Sequence, residues 1–300
     1  MADAITDGLI HVKGPVWLVP GYKKGRFPFS HSVLIKDKIT VLIDTGSGEE
    51  ALLPLAKSGQ VDLVLISHIH PDHMALNYLF ADKKILVPKM AADSAESLEA
   101  MGRRFFPDPE IRAMWMEFVK HTMGFKDCPI SGVFGREKVF DLGSTRLKVI
   151  FTPGHTIDHC CFFLPQWDVF LSADIDLTGF GPWYGNPEGD IAQTLDSINK
   201  VMEINPGILV SSHKGIINNQ IRESLLAYAR IIEKRSRKIC GLLKKPKNLE
   251  QIVDAAIIYG GFPFLPRLLR HWEGQMVQKH LVELMSRGRV ALEGDMYKAL

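Results

Sequence analysis

Cysteine is scarce in this chain of 300 residues: there are four, Cys128, Cys160, Cys161 and Cys240, two of them adjacent and none in a C-x-x-C pair. That usage argues against a disulfide framework and points to a reducing, cytoplasmic location. No apolar run reaches the roughly 18–20 residues that span a bilayer, so no membrane partner is expected. The opening Met-Ala-Asp-Ala-Ile-Thr-Asp lacks the basic residues of a secretory signal. There is no internal repeat and no low-complexity block, and 25 glycines with 17 prolines are too few for a collagen-like or disordered chain. What is present is ordinary globular composition, 46% apolar and 23% charged, in a chain long enough to bury a large core. The net charge of +2 hides an asymmetry. Residues 1–215 carry 21 Lys and Arg against 26 Asp and Glu, whereas residues 216–300 carry 15 against 8. A basic final segment suits either a solvated helical surface or an anionic partner.

Short β-rich runs bounded by turn residues predict strands at Ser32–Ile35, Ile39–Ile43, Leu63–Ile66, Ile85–Val87, Leu147–Phe151, His159–Leu164, Val169–Leu171 and Ile208–Val210. Helical patterning covers Ala91–Met123, broken at Pro107 and Pro109, and Ile191–Ile204. Strands interleaved with helices imply an α/β layered architecture. Past Asn219 the pattern is helical: Ile221–Leu243, Leu249–Tyr259 and Gln275–Arg287, then a short strand at 288–292, the order of a winged-helix-like module.

The chemistry concentrates in Ser67-His68-Ile69-His70-Pro71-Asp72-His73, directly after a predicted strand. Residues i and i+2 on extended backbone project to one side, so His68 and His70 can reach one ion. Pro71 then turns Asp72 and His73 back toward it. Three histidines and an aspartate within six residues suit a borderline metal such as zinc far better than an apolar core. Three later strands end the same way, in Thr152-Pro153-Gly154-His155, Ser172-Ala173-Asp174 and Ser211-Ser212-His213.

Together these segments resemble the metallo-β-lactamase superfamily, an αββα sandwich of hydrolases. His68, His70, Asp72 and His73 match its HxHxDH motif, and His155, Asp174 and His213 match its remaining ligand positions. Asp44, in Ile43-Asp44-Thr45-Gly46, matches its structural Asp-x-Gly turn beneath the metals. The resemblance covers roughly residues 10–215. It implies one ion on His68, His70 and His155, a second on Asp72, His73 and His213, and Asp174 bridging them. Two divalent ions are expected, zinc first, with iron or manganese as alternatives. The implied activity is hydrolysis of a small ester, thioester or lactone by a metal-bound hydroxide, Asp72 orienting the water and handling its proton. Thr152–His159 resembles the glyoxalase II and lactamase-like hydrolase branches. Two alternatives remain: a nuclease or phosphodiesterase, for which the basic segment speaks, and a mononuclear-iron persulfide dioxygenase. Diiron carriers of the superfamily have Glu where this chain has His70, which argues against that role.

The expected organisation is a metal-binding domain over 1–218, with a helical insertion at about 91–127, and a C-terminal helical segment over 219–300 packed on it. Trp183 and Tyr184 either wall a substrate pocket or pack structurally. Lys214 pairs with a substrate anion or with a neighbouring carboxylate. His159 touches substrate or supports a ligand, while Cys160 and Cys161 belong to the core. The run Asp176–Gly185 matches no substrate motif. The insertion's Phe105, Phe106, Trp115, Met116 and Phe118, together with the apolar faces of the C-terminal helices, are expected to cover the metals. A half-closed aromatic pocket with an anionic handle near Lys214 follows. The expected partner is a small molecule, with nucleic acid as the alternative and a homodimer as the oligomeric option.

Overall fold

Period-two patterning divides the apolar residues of each strand between two faces, so each sheet must be covered on both sides. The structure, a computed structural model, describes residues 7–300; residues 1–6, which hold most of the opening stretch considered above for targeting, lie outside the described residues. The first sheet has seven strands in chain order: β1 (Ile10–Lys13), β2 (Val16–Val19), β3 (Ser32–Ile35), β4 (Val41–Ile43), β5 (Leu63–Leu65), β6 (Lys84–Pro88) and β7 (Gly132–Phe134). Pairing is antiparallel from β1 to β4 and parallel from β4 to β7. The second sheet contains β8 (Val139–Asp141), β9 (Arg146–Phe151), β10 (Cys160–Leu164), β11 (Val169–Ala173), β12 (Ile208–Ser211) and β13 (Gly215–Ile217), in reverse spatial order. Only its β11–β12 pair is parallel. A separate hairpin pairs β14 (Val290–Glu293) with β15 (Met296–Ala299).

The helical segments are α1 (Tyr22–Gly25, a single turn in which Lys23 and Lys24 are left-handed), α2 (Glu49–Ser58), α3 (Pro71–Met74), α4 (Leu98–Phe105), α5 (Pro109–Met123), α6 (Ile191–Ile204), α7 (Ile221–Leu242), α8 (Leu249–Asp254) and α9 (Pro266–Ser286). Val33, Ile35 and Ile43 of one sheet meet Val149, Phe162, Leu171 and Val210 of the other in the inner core. Leu34 and Val64, on the opposite face, pack under α2 and the α4–α5 pair. Phe170 and Leu209 pack under α6 and α7 with Ile198, Val201, Leu225 and Tyr228. The result is the expected αββα sandwich.

The two segments outside the sandwich meet. Leu268, Leu269 and Trp272 of α9 share one buried cluster with Phe105, Phe106, Ile111 and Trp115 of the α4–α5 pair. The other side of α9 packs with α7, α8 and the hairpin through Ile239, Ile252, Val277, Leu281 and Val290. Two C-terminal expectations change. The helix expected to reach Tyr259 stops at Asp254, and the last begins at Pro266, nine residues before Gln275. Ala256 is left-handed (φ 46°) and the Ile258 and Tyr259 N–H groups donate to the Glu273 carboxylate (3.1 and 3.0 Å), so the chain turns away from helix there. Pro266 then sits in the first turn of α9, where its missing N–H costs nothing. Among the described residues, no helix is long and apolar enough to cross a membrane.

Candidate metal centre and its pocket

The strand ends bring seven side chains to one edge of the sandwich. His68 and His70 follow β5, Pro71 opens the one-turn α3 that carries Asp72 and His73, and Asp174 and His213 follow β11 and β12. Thr152-Pro153-Gly154 leads His155 in from β9. A Cβ at Gly154 would collide with the backbone of Thr194, so glycine is needed where this loop passes α6. Gly46 is needed likewise, because a Cβ there would overlap the carbonyl of Asp72.

The metal-capable atoms form two groups, His68–His70–His155–Asp174 and Asp72–His73–His213. Asp174 serves both. Its Oδ2 lies 3.2 Å from His155 Nε2 and 3.7 Å from His68 Nε2. Its Oδ1 lies 2.9 Å from His73 Nε2 and 3.3 Å from His213 Nε2. His213 Nε2 is also 3.5 Å from Asp72 Oδ2. On the other side, His70 Nδ1 lies 3.1 Å from His68 Nε2 and 2.7 Å from His155 Nε2.

Hydrogen bonds outside the cluster decide which nitrogen faces inward. His73 donates from Nδ1 to Asp44 Oδ2 (2.8 Å), His155 to the Trp183 carbonyl (2.9 Å) and His213 to the Gly25 carbonyl (2.7 Å). Asp44 also takes the Ser67 N–H and hydroxyl (both 2.7 Å). The Ser67 oxygen in turn accepts from His68 Nδ1 at 3.0 Å. In each of these four rings the proton is drawn outward and the Nε2 lone pair is left pointing into the cluster, as metal-ligating imidazoles require. His70 is reversed: its Nε2 meets the Asn186 amide at 2.6 Å and Nδ1 faces the cluster.

The donor set fits cations. His73 Nε2 and Asp174 Oδ1 are buried without a hydrogen-bond partner, despite lying 2.9 Å apart, because both aim at the centre rather than along a bond. Burial, with neighbouring histidines, drives His68 and His70 well below the usual imidazole range. Burial also disfavours the charged form of His73, yet Asp174, Asp44 and Asp72 outweigh it and hold that group well above the range. Against the same burial, Asp174 and Asp72 lift His213 to about 10. Asp174 remains well below the carboxylate range in spite of burial, surrounded by His73, His213 and His155. The carboxylates here call for positive charge that neutral imidazoles do not supply.

A cavity of about 440 Å³ opens above the cluster, with His70, Asp72, His155, Asp174 and His213 in its floor. Phe105, Trp115 and Met123 of the insertion form one wall, Trp183 another, and Tyr259, Leu269 and Trp272 of the C-terminal segment a third. Phe27, Phe180 and Phe264 form an exposed apolar mouth. Trp183 is thus a wall residue, but three other candidate substrate residues stand elsewhere. Tyr184 is fully buried, its hydroxyl 2.7 Å from His280 Nε2 and 3.1 Å from Arg235. Lys214 donates to the Leu177 carbonyl (3.0 Å) and does not line the cavity. His159 is fully buried beneath it, accepting the Asp174 N–H at Nε2 (3.1 Å) and donating from Nδ1 to the Thr152 carbonyl (2.9 Å). Burial pushes His159 down to about 3, so it stays neutral and can take that N–H.

Several supports have no signature in the sequence. Asn186 directly follows the run Asp176–Gly185, and the structure turns the two into a strap across the cluster. Arg235 of α7 donates to the Phe180 and Pro182 carbonyls (2.6 and 2.5 Å), the Trp183 indole to Tyr259 (2.7 Å), and Lys279 of α9 to the Asn186 carbonyl (2.8 Å). The strap then presents the Trp183 carbonyl to His155 and the Asn186 amide to His70. On the insertion, Arg104 bridges Asp158 (2.5 Å) and Glu188 (2.6 Å), and Asp158 accepts the N–H of Ile69, between the two ligands of the first motif (2.9 Å).

Comparisons with known proteins agree with this geometry. A sequence profile described as the metallo-beta-lactamase superfamily matches residues 25–213. A beta-lactamase-like protein 2 homolog of Caenorhabditis elegans is 25% identical over 294 residues, covering 94% of this chain and 85% of that one. An atrochrysone carboxyl ACP thioesterase of Aspergillus fumigatus is 25% identical over 186 residues, 60% of this chain and 48% of its own. Among solved structures, a metallo-beta-lactamase family protein from Thermus thermophilus superposes with a TM-score of 0.72 at 21% identity, covering 95% of this chain and 99% of that chain. A beta-lactamase domain protein from Burkholderia ambifaria does so at 0.74 and 18%, covering 97% and 94%. With the profile spanning well over half its length and the ligand geometry in place, the chain belongs to the metallo-beta-lactamase superfamily.

Proposed function

We propose that the protein is a hydrolase of a small ester or thioester that works with two divalent cations, zinc the first candidate. One observation carries the reading: the two oxygens of Asp174 face two separate groups of donors whose imidazoles are already hydrogen-bonded on their outer nitrogens. His68, His70 and His155 would hold one cation, Asp72, His73 and His213 the other, and Asp174 both. Cations there supply Lewis acidity toward a water molecule and a substrate carbonyl.

The protein's own side chains do the rest. Asp72 lines the cavity floor, and we assign it the role of taking the proton from the attacking water and returning it to the leaving group. The aromatic walls exclude bulk water and seat the apolar part of the acyl group. No serine or cysteine nucleophile is needed, and Cys160 and Cys161 are unsuited to the part: burial pushes the Cys161 thiol up to about 12 and the Cys160 thiol higher still. The thioesterase name of one relative supports a thioester within the substrate class.

The test is elemental analysis of purified protein combined with a panel of ester, thioester, lactone and phosphodiester substrates. The reading expects about two metal ions per chain, turnover of esters or thioesters, and loss of both on chelation. A single iron with oxygen uptake, or cleavage confined to phosphodiesters, would overturn it.

A further inference from the structure

Among the described residues, Arg26 is the one lysine or arginine lining the cavity whose floor holds Asp72 and His213. It is exposed, and its guanidinium has no ion-pair or hydrogen-bond partner among the described residues. The other cations around the site are committed. Arg104 is held by Asp158 and Glu188, Lys214 by the Leu177 carbonyl, Arg235 by the Phe180 and Pro182 carbonyls, and Lys279 by the Asn186 carbonyl.

The backbone around Arg26 is unusual. Lys23, Lys24 and Gly25 are three successive left-handed residues (φ 50°, 62° and 67°), a conformation that lysine rarely adopts. Such strain persists only where the surroundings over-determine it, and it clusters at ligand-binding loops. Here the loop is pinned throughout. Tyr22 N–H donates to the Ser47 carbonyl (2.8 Å), Gly21 N–H to His31 Nδ1 (2.8 Å) and Ser30 N–H to the Gly46 carbonyl (3.1 Å). The Gly25 carbonyl takes the Nδ1 proton of His213 (2.7 Å), so Arg26 follows directly on a residue registered to the metal centre. The outcome is Arg26 held at an apolar mouth, with Lys23 and Lys24 just before it in the same pinned loop.

We propose that Arg26, with Lys23 and Lys24 beside it, binds an anionic group, carboxylate or phosphate, carried on the substrate away from the carbonyl that reacts. The inference rests on the hydrolase reading above and narrows it: the substrate is amphipathic, its apolar body against Trp183 and Trp272 and its charge at the mouth. Arg26 takes the place that sequence reasoning assigned to Lys214. A guanidinium is the suitable group there, since its fork matches both carboxylate and phosphate.

The experiment compares three p-nitrophenyl esters on the metal-replete protein: hexanoate, hexanoate with an ω-carboxylate, and hexanoate with an ω-phosphate. The expected result is an advantage of about tenfold in kcat/KM, mostly through KM, for at least one anionic ester, the scale of one charge-assisted hydrogen bond. The two anionic arms identify which anion is read. Arg26→Ala removes the advantage, Arg26→Glu inverts it, and Arg26→Lys keeps part of it. Equal kcat/KM for all three esters in the wild type, or an advantage that survives Arg26→Ala, overturns the proposal. If none of the three esters is cleaved, the hydrolase reading is decided separately by the thioester arm of the panel above. The subsite is then tested by quenching of tryptophan fluorescence with the uncleavable ethers of the same three compounds, where equal affinities overturn it. Displacement of the ethers by a short oligonucleotide, without preference for either ω-anion, would assign the loop to a nucleic-acid backbone and also overturn it.

Discussion

The ligand cluster and the aromatic cover above it are adjacent but built on different forces. The cluster is polar and buried, and each imidazole is oriented by a directional bond to Asp44, Ser67, Trp183, Gly25 or Asn186. The cover is apolar, and its parts come from distant stretches: Phe105 and Trp115 from the insertion, Trp272 from the last long helix. Directional bonds set atoms to within tenths of an ångström, while apolar packing sets volume and shape. Chemistry and substrate choice can therefore change separately, except where the strap from Phe180 to Asn186 joins them.

Substitutions should separate the two regions. In the cluster, Asp72→Asn is expected to lower turnover by roughly 10²–10⁴ without unfolding the protein; steady-state kinetics with circular dichroism checks this, and near-normal activity would remove Asp72 from the proton path. In the cover, Phe106 is buried against Trp115, His271 and Trp272 without lining the cavity. Phe106→Ala should cost about 3–5 kcal/mol of stability in a denaturant titration, while the remaining folded protein retains its metal.

The strap and the insertion test the junction. Asn186→Leu and Arg104→Met remove supports of the His68–His70 turn, not ligands, and should weaken metal affinity by about 10–100-fold, read by competition with a chromophoric chelator. Unchanged affinity would confine both residues to packing.

The smallest effect concerns acid. Burial, helped by Arg235, holds His280 down at about 3, and its ring bonds to Tyr184 and Ser236. Between its ordinary value of 6.5 and about 3, the unfolded chain binds a proton that the folded chain refuses. The stabilisation is thus complete above pH 6.5 and is lost as pH falls through that window, by at most about 1.4 kcal/mol per pH unit for one group. His280→Asn should flatten the fall of Tm between about pH 7 and 5, and an unchanged slope would assign the acid sensitivity elsewhere.

The same division explains what could be seen in the sequence. Ser32–Ile35 and Ile191–Ile204 lie where expected, the latter because Asp190 caps its start and left-handed Asn205 ends it. Edge strands β1, β7, β8 and β13 and inner strand β2 were not anticipated: the edge strands are short and partly exposed and so lack a full apolar pattern, and β2 is a run of only four residues between Pro15 and Pro20. In the site, Asp44 was legible through its turn, whereas Asn186 and Arg104 were not, since each acts on a residue 116 or 54 positions away. Tyr184 and Lys214 were misplaced because nearness in sequence to Asp174 and His213 says nothing about which side of the backbone faces the cavity.

The sequence alone determined the kinds of donor atom and their placement at strand ends, because those follow from local spacing, strand periodicity and the turn at Pro71. Only the tertiary structure decided which nitrogen of each histidine faces inward, which aromatic rings close over the cluster, and which cation is left uncommitted at the mouth. Those outcomes depend on hydrogen bonds and packing between segments far apart in the chain, and no local pattern encodes which partner a side chain meets when the two sheets and their helices come together.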